Sequence, residues 1–319
     1  MAYRLLVLDL DGTVMGEDTR IRPAVREAVR RAQAAGVAVT LATGRAFEST
    51  LPFARQLDIT APLICYQGGL IQSPVDGAVL YEATFPKELA HELIAWVTAR
   101  ERRPFRSLLQ GFEPWEASDG FSAQPGKIDV TIYLDGVIYL DQMRHAPAFY
   151  ERWFGLPIRR VDGLVAAVYA DPIKSILIAH PAMCDEILPE LKEAFAGRLQ
   201  IVRSHPLFVE AIPLGVSKGR AMAWLAEYLG IPQEATIAVG DNENDLPMIE
   251  WAGLGVAMAD APPEVKAAAD WVAPSVAEDG VAAVIERFVL NMDDEGSHRT
   301  AESAVSPPDS AVPVGANGD

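Results

Sequence analysis

The sequence predicts an α/β protein with a Rossmann-like parallel-sheet core and an inserted α+β cap domain. Short apolar segments alternate with amphipathic segments at both ends of the chain, which is typical of parallel strands joined by helices. The middle of the chain differs, because it combines a strong hairpin signal with isolated helices. Half of the 319 residues are apolar, so the chain can bury a large core.

The N-terminal part indicates the order β-α-β-α-β. The apolar run 5–8 has the length of a buried strand and ends in Asp-Leu-Asp-Gly, a turn sequence. Pro23 suits the first position of a helix, and Gly36 suits the end of one. The other elements are a strand at 37–41, a helix at 45–57, a strand at 63–66 and a hairpin turning at Asp76-Gly77. This alternation predicts a parallel sheet with right-handed crossovers.

The same alternation returns near the C-terminus, so we expect one sheet built from both ends of the chain. The late segments are a helix at 219–229, a strand at 236–239, a helix at 244–251, a strand at 254–258, a helix at 264–269 and closing segments at 271–273 and 281–289. The middle supplies a helix at 86–99, hairpin strands at 130–134 and 137–140 around Asp135-Gly136, a strand at 173–179 and a helix at 185–194.

Three regions follow from these patterns. The predicted core consists of residues 1–85 and 209–291, and the predicted cap domain of residues 86–208. Residues 292–319 are rich in Ser, Pro, Ala, Gly and acidic residues and contain no aromatic side chain. Such a segment buries too little apolar surface to offset its ordering entropy, which predicts a disordered acidic tail.

The net charge of −17 is unevenly distributed. Residues 206–291 carry 13 acidic and 4 basic side chains in a periodic, apolar context, which suggests a bound cation. A nucleic-acid partner is disfavoured, because such binders need surplus Lys and Arg. No apolar run reaches the roughly 18 residues of a membrane span, and Asp9 and Asp11 interrupt the first run too early for a signal peptide. We therefore expect a soluble protein. Cys65 and Cys184 form no CxxC pair, which supports neither a disulfide framework nor a thiolate metal site and favours a reducing cytoplasm.

Four polar motifs follow predicted strands or begin predicted helices. They are Asp9-Leu10-Asp11-Gly12-Thr13, Thr43-Gly44-Arg45, Ser217-Lys218-Gly219 and Gly240-Asp241-Asn242-Glu243-Asn244-Asp245. Ligands of open parallel sheets bind at the carboxyl ends of the strands. The four motifs all fall on that predicted edge, where we expect any chemistry to lie.

Each motif taken alone also fits a structural role. Asp9 and Asp11 can supply a nucleophile and an acid–base group, but an Asp-Gly turn with a helix cap explains them as well. Thr43 can be the N-cap of the second helix, part of an anion site at the helix N-terminus, or both, because the two roles are compatible. Lys218 is either a solvated surface lysine or a charge clamp, since the helix dipole disfavours a lysine at this end.

The fourth motif is harder to explain structurally. A capped helix start accounts for one or two of its acidic and amide side chains, whereas a cluster of hard oxygen ligands suits Mg²⁺. Together, the motifs supply a nucleophile, a proton donor, a charge clamp and a divalent-ion site. This is the set of groups that phosphoryl transfer requires.

In this order, the four motifs resemble those of the haloacid dehalogenase superfamily, and in particular its Cof-type phosphatases with a class IIB cap. The resemblance covers residues 4–290 and is closer in the core than in the middle segment. It implies Mg²⁺-dependent hydrolysis of small phosphate monoesters, such as sugar phosphates or phosphorylated cofactors. The implied partner is therefore a small phosphorylated metabolite, with neither nucleic acid nor a membrane, while the oligomeric state is unknown.

The resemblance also implies roles for individual residues. Asp9 would attack phosphorus and form an aspartyl-phosphate, while Asp11 would protonate the leaving oxygen and then activate water. Mg²⁺ would be held by the carboxylates of Asp9 and Asp241 and by the backbone carbonyl of Asp11. Asp245 would orient Lys218 or the loop rather than bind the metal. The residues implied to bind the substrate are Leu10, Thr43, Gly44, Lys218 and Asn244.

Two further expectations concern the electrostatics of the acids. A neighbouring Mg²⁺ would keep Asp9 ionised at neutral pH, and a closed, less solvated site would help Asp11 to hold its proton. One position departs from the family pattern, because Gln67-Gly68 stands where these phosphatases usually have Asn-Gly.

Two alternative functions stay open: a phosphomutase acting on sugar phosphates, and a non-catalytic phosphometabolite-binding protein.

Overall fold

The structure is a computed structural model that describes residues 2–16, 18–109, 120–122 and 124–290. The predicted tail at 292–319 lies outside the described residues. The strands are β1 Leu5–Leu8, β2 Ala38–Leu41, β3 Leu63–Cys65, β4 Leu70–Gln72, β5 Val79–Glu82, β6 Asp129–Leu134, β7 Val137–Leu140, β8 Ile158–Arg160, β9 Lys174–Ile178, β10 Leu199–His205, β11 Phe208–Pro213, β12 Thr236–Gly240, β13 Leu254–Met258 and β14 Trp271–Ala273. The α-helices are α1 Pro23–Ala34, α2 Phe47–Gln56, α3 Lys87–Arg100, α4 Arg106–Leu109, α5 Pro147–Trp153, α6 Leu164–Ala167, α7 Pro181–Ala194, α8 Lys218–Tyr228, α9 Leu246–Trp251, α10 Pro263–Ala268 and α11 Gly280–Val284.

The central sheet is parallel and is built from both ends of the chain, which confirms the predicted α/β class. Its strand order is β14-β13-β12-β1-β2. At the end of β1, Leu8 pairs with Val239 of β12 and with Leu41 of β2. The carboxyl ends of these three strands therefore lie at one level, and the loops that follow them start side by side.

Local sequence explains why these elements form where they do. All four residues of β1 are buried, as expected for a parallel strand covered on both faces. Helix α1 begins at Pro23, as predicted, and Gly36 follows its end with φ of 87°. The buried face of α1 consists of Val25, Ala28, Val29 and Ala32. Each larger apolar side chain withdrawn from water in this way contributes about 1.5–3 kcal/mol.

The third predicted strand differs from expectation. β3 does not continue the parallel sheet as a full member but pairs antiparallel with β4, which pairs with β5. A single parallel bridge between Ala42 and Ile64 links β3 to the end of β2. The physical reason is the turn at Tyr66–Gly68, which reverses the chain directly after β3. The next strand, β4, therefore runs back beside β3 and pairs with it.

The middle segment forms a separate six-stranded sheet in the order β10-β11-β9-β6-β7-β8. As predicted, β6 and β7 form a hairpin around Asp135-Gly136, and both turn residues have positive φ. The hairpin of β10 and β11 was not predicted, because Arg203 and Glu210 interrupt its apolar pattern. β11 runs to Pro213, beyond the predicted cap boundary at 208, and the domain limits stay a prediction.

Within the described ranges, no helix combines the length and the apolar character that crossing a membrane requires.

Candidate active site

The four motifs meet at the carboxyl edge of the parallel sheet. Asp9 directly follows β1, and its backbone N–H donates to the carbonyl of Val239 at 2.9 Å. Thr43 comes two residues after the end of β2, and Asp241 directly follows β12. Lys218 approaches from the first position of α8. Parallel register therefore brings together side chains that are more than 200 residues apart in sequence.

Lys218 is buried between two carboxylates. Its Nζ donates to Asp9 Oδ1 at 2.5 Å and to Asp245 Oδ1 at 2.6 Å, and only 1% of its side chain is exposed. Ser217 caps α8 by accepting the backbone N–H of Arg220 at 3.2 Å, which fixes where the helix begins. The solvated-surface alternative for Lys218 is therefore wrong.

Asp245 has both carboxylate oxygens engaged by donors. Oδ1 accepts from Lys218, while Oδ2 accepts the backbone N–H groups of Asp241 and Asn242 at 3.0 and 3.1 Å. The side chain is fully buried. This geometry makes Asp245 a positioning residue that fixes both the lysine and the loop after β12.

Asp241 lies against the first motif. Its Oδ1 accepts from the hydroxyl of Thr13 at 2.9 Å. Gly12 has φ of 92°, and a Cβ at this position would lie only 2.3 Å from Asp241 Oδ2. A glycine at position 12 is therefore required both by the backbone conformation and by the close approach of the carboxylate.

A hard cation fits the donor set of this site. Carboxylate oxygens of Asp9, Asp241 and Asp245 lie within 4.8 Å of one another. Both oxygens of Asp245 accept from protein donors. Asp9 and Asp241 each accept through Oδ1, from Lys218 and Thr13, and each keeps one oxygen that no donor among the described residues engages. Oxygen ligands of this kind match the preference of Mg²⁺.

Burial is the largest single influence on the pKa of Asp9, Asp241 and Lys218, but neighbouring charges reverse its effect at the lysine. It raises the pKa of Asp9 well above its usual range, although the Lys218 ammonium opposes this. Burial and the neighbouring Asp245 raise the pKa of Asp241 to about 6. Burial alone would lower the pKa of Lys218, but the carboxylates of Asp245 and Asp9 raise it above its ordinary value. The lysine is therefore a permanent positive charge in the site.

Asp11 has different surroundings from those expected. Its side chain is 49% exposed, and both oxygens accept from Arg45, at 2.7 Å from Nε and 2.6 Å from Nη2. The structure thus places this acid at the rim of the site and in a bidentate ion pair, not in the closed surroundings that the sequence analysis favoured. Sequence reasoning assigned no partner to Asp11.

The remaining predicted substrate-binding residues lie on loops around Asp9. Thr43 is buried, and its hydroxyl accepts the backbone N–H of Arg45 at 3.2 Å, while Gly44 follows it in the same loop. Because the N-cap of α2 is Ala46, the N-cap alternative for Thr43 is wrong. The side chain of Leu10 is fully buried in the core, so a ligand can be contacted only through its backbone.

A cavity of about 160 Å³ lies between this edge and the six-stranded sheet. On the core side, the Asn244 carboxamide donates to Gln67 Oε1 at 2.9 Å and both residues line the cavity. Its other side is lined by residues of the middle segment, among them Lys192, Gln200 and Arg203. Gln67 thus belongs to the site, although the sequence analysis recorded it only as a departure from the family pattern.

Sequence reasoning misses a buried ion pair in the six-stranded sheet, whose lysine also contacts the loop after β2. Lys174 on β9 donates to Glu210 Oε2 on β11 at 3.0 Å and to the carbonyl of Gly44 at 2.9 Å. Both charged side chains are 4% exposed. A lysine and a glutamate inside otherwise apolar strands are the signal that could have revealed the pair, because buried charges need partners.

The sequence and the fold are both similar to those of known proteins. A family model described as haloacid dehalogenase-like hydrolase matches residues 6–285. Phosphatase YwpJ of Bacillus subtilis is 28% identical over 295 residues, which cover 90% of this chain and all of that protein. HMP-PP phosphatase of Serratia proteamaculans is 28% identical over 267 residues, covering 83% of this chain and 86% of that protein. A solved haloacid dehalogenase-like hydrolase from Bacteroides thetaiotaomicron is 28% identical with a TM-score of 0.73, covering 89% of this chain and 99% of that one.

Proposed function

Because the chain belongs to the haloacid dehalogenase-like hydrolase family, we propose that it is a Mg²⁺-dependent phosphatase acting on small phosphate monoesters through an aspartyl-phosphate on Asp9. The observation that carries the proposal is the buried Lys218, which joins Asp9 to Asp245. An ammonium group has three donors, and partners among the described residues use two of them. The third is free to bind a phosphoryl oxygen beside the nucleophile.

The substrate class follows from the relatives and the cavity. Two relatives that this chain covers to 86% or more of their length are named as phosphatases, and one of them is named HMP-PP phosphatase. A cavity of about 160 Å³ suits a small ligand. We therefore expect sugar phosphates or phosphorylated cofactors as substrates, and a small phosphorylated metabolite as the physiological partner.

In the first half-reaction, Asp9 attacks phosphorus through a carboxylate oxygen. The bond between phosphorus and the ester oxygen breaks, and its electron pair leaves with that oxygen, which takes a proton from Asp11. Lys218, the hydroxyl of Thr43 and the backbone N–H of Gly44 hold the phosphoryl oxygens during this transfer. Asn244 and the backbone of Leu10 complete this set.

In the second half-reaction, Asp11 acts as a base. It removes a proton from a water molecule that attacks the phosphorus of the aspartyl-phosphate. The bond between phosphorus and the Asp9 oxygen breaks, which restores the carboxylate and releases inorganic phosphate. Asp11 regains the proton that it donated, so both acids return to their starting states.

The acid–base role of Asp11 requires its ion pair to open. In the structure, Arg45 occupies both oxygens of this carboxyl group. A substrate whose leaving oxygen enters the rim of the site competes with Arg45 for Asp11. Because 49% of the Asp11 side chain and 21% of the Arg45 side chain are exposed, water can satisfy the donors that this exchange releases.

Asp9 and Asp241, with the backbone carbonyl of Asp11, are the groups that would hold Mg²⁺. When bound, the ion supplies positive charge that neutralises the phosphoryl oxygens and keeps the nucleophile ionised. Thr13 holds Asp241 in place through its hydroxyl hydrogen bond at 2.9 Å. Asp245 supports the same loop without giving a ligand.

We also propose the cytoplasm as the compartment of this enzyme. Its two cysteines, Cys65 and Cys184, are both free and buried. Burial raises the pKa of each thiol to about 12, which suits inert structural residues of a reducing compartment.

The test is release of inorganic phosphate from a panel of sugar phosphates and phosphorylated cofactors, with Mg²⁺ and with EDTA. We expect Mg²⁺-dependent release that EDTA abolishes. An isomerised sugar phosphate without free phosphate would instead identify a phosphomutase. Binding of the esters without any turnover would support a non-catalytic binding protein.

A further inference from the structure

Gln67 adopts an unusual backbone conformation beside the predicted phosphate site. It has φ of 60° and ψ of 20°, and Tyr66 before it and Gly68 after it also have positive φ. Residues other than glycine rarely adopt this backbone conformation, and they keep it only where the surrounding structure imposes it. Here the backbone N–H of Gln67 donates to the carbonyl of Thr43 at 3.0 Å. The loop after β3 is thus tied to the loop that carries Thr43 and Gly44.

The carboxamide of Gln67 is only half satisfied. The residue is 3% exposed, and its Oε1 accepts from Asn244 at 2.9 Å. Its Nε2 is buried and has no hydrogen-bond partner in the described part of the chain. Leaving a buried donor without a partner costs about 1–3 kcal/mol, so its retention calls for an explanation.

The unpaired donor is packed against Gly44. A Cβ at position 44 would lie 2.4 Å from Gln67 Nε2, so only glycine leaves room for the carboxamide. Gln67 also lines the cavity together with Lys218 and Asn244. Its free N–H groups therefore lie among the residues assigned above to the phosphoryl oxygens.

We propose that Gln67 is a substrate-binding residue whose Nε2 donates to an oxygen of the phosphoryl group, while its Oε1 holds Asn244 in position. This inference rests on the proposed function, because it requires a phosphoryl group beside Gly44. An anionic oxygen is the strongest acceptor that an amide donor can meet, and it would satisfy the donor that the protein leaves unpaired.

The length of the side chain supports this assignment. Asparagine at position 67 would be shorter by one methylene group, so its amide could not reach both Asn244 and the space above Gly44. Glutamine spans this distance from a backbone that Thr43 holds in place. The departure from the usual Asn-Gly pair is therefore a specific feature of phosphate binding in this chain.

The experiment measures the affinity of inorganic phosphate by calorimetry with Mg²⁺ present, in a double-mutant cycle of Gln67→Met and Asn244→Ala. Methionine keeps the length of glutamine but has no donor. We expect Gln67→Met to weaken phosphate binding about tenfold in the wild-type background, and still several-fold when Asn244 is already alanine. An effect that disappears in the Asn244→Ala background would overturn direct binding and leave only a positioning role.

Two controls keep this test decisive. Gln72→Met changes a glutamine of β4 whose Nε2 donates to the carbonyl of Gly77, outside the site, and should leave phosphate affinity unchanged. If Gln67→Met does not fold, Gln67→Asn replaces it, because asparagine tolerates positive φ and withdraws the donor. Unchanged phosphate affinity in the folded variant refutes the inference alone, whereas a wild-type protein that neither binds phosphate nor releases it from any ester refutes the proposed function.

Discussion

Lys218 Nζ and Asp9 Oδ1 lie 2.5 Å apart although 209 residues separate them in the chain. The helix α8 and the strand β1 bring them together, and Asp245 completes the arrangement from a third element. An ion pair buried to this degree is costly to break, because either partner alone would be an uncompensated charge. The contact therefore ties the stability of the core to the chemistry of the site.

Replacing Lys218 by methionine should damage both stability and activity. The change leaves Asp9 and Asp245 buried without their cation, and we expect the free energy of unfolding to fall by about 3 kcal/mol. Phosphate release should fall at least about a hundredfold, since the charge clamp is lost. Denaturant unfolding and initial rates measure the two effects. Lys266→Met is the matched control, because Lys266 only donates to the carbonyl of Ala259; equal behaviour of the two variants would contradict the assignment.

Asp241 and Asp245 should respond differently to loss of charge. Asp241→Asn removes a proposed metal ligand, so the Mg²⁺ concentration for half-maximal activity should rise about tenfold or more. Asp245→Asn should lower kcat with a smaller change in Mg²⁺ dependence, because its oxygens accept from Lys218 and the backbone. Activity measured against Mg²⁺ concentration for both variants distinguishes a metal ligand from a positioning residue. Equal shifts would mean that Asp245 also binds the metal.

Mg²⁺ should stabilise the protein more at neutral than at acidic pH. Burial raises the pKa of Asp241 to about 6 in the folded, metal-free protein, above the roughly 3.9 of an unfolded aspartic acid. The folded state therefore holds this proton more tightly, and the stability that the proton provides is lost as the pH rises through about 6. Mg²⁺ needs the carboxylate and competes with that proton.

Thermal unfolding with and without Mg²⁺ measures this competition. We expect the increase in Tm caused by Mg²⁺ to be large near pH 8 and small near about pH 5. An increase in Tm that is independent of pH across this range would show that no carboxyl group with a raised pKa takes part in binding.

Two glycines with similar positive φ offer a test of the close approach at Asp241. Gly12 and Gly36 have φ of 92° and 87°, but only Gly12 has a carboxylate 2.3 Å from an added Cβ, while nothing lies within 4 Å at Gly36. Alanine at either position should cost about 1–2 kcal/mol of stability through the backbone. Only Gly12→Ala should also abolish Mg²⁺-dependent activity. The measurement is Mg²⁺-dependent phosphate release by the two purified variants. Equal activities would contradict the close approach of Asp241 to position 12.

Much of the site could be predicted because it depends on local sequence and sheet topology. The run Leu5–Leu8 is a buried strand, and a parallel sheet necessarily places the residues after its strands along one edge. Asp9 and Asp241 could therefore be placed near each other without coordinates. The same reasoning predicted that Lys218 approaches from a helix N-terminus.

The features that the sequence does not predict depend on contacts between segments that are distant in the chain. The pairing of Lys174 with Glu210 requires β9 and β11 to be neighbours, which no local pattern specifies. Glu210 also explains why the hairpin of β10 and β11 is hard to predict, since a buried glutamate interrupts the apolar run of a strand. The ion pair of Asp11 with Arg45 likewise depends on how two loops meet, and it places Asp11 nearer to solvent than the sequence indicated.

Phosphate release by Asp9→Asn, measured beside Asp270→Asn as a control, decides whether Asp9 is the nucleophile. Asp270 accepts the backbone N–H of Gly255 at 2.8 Å, outside the site, and an asparagine oxygen can replace it there. Asparagine at position 9 keeps the shape of the side chain but cannot attack phosphorus. We predict that both variants fold, that Asp270→Asn keeps wild-type activity and that Asp9→Asn releases no phosphate above background. Sustained turnover by folded, uncontaminated Asp9→Asn would contradict the assignment of Asp9 as the nucleophile.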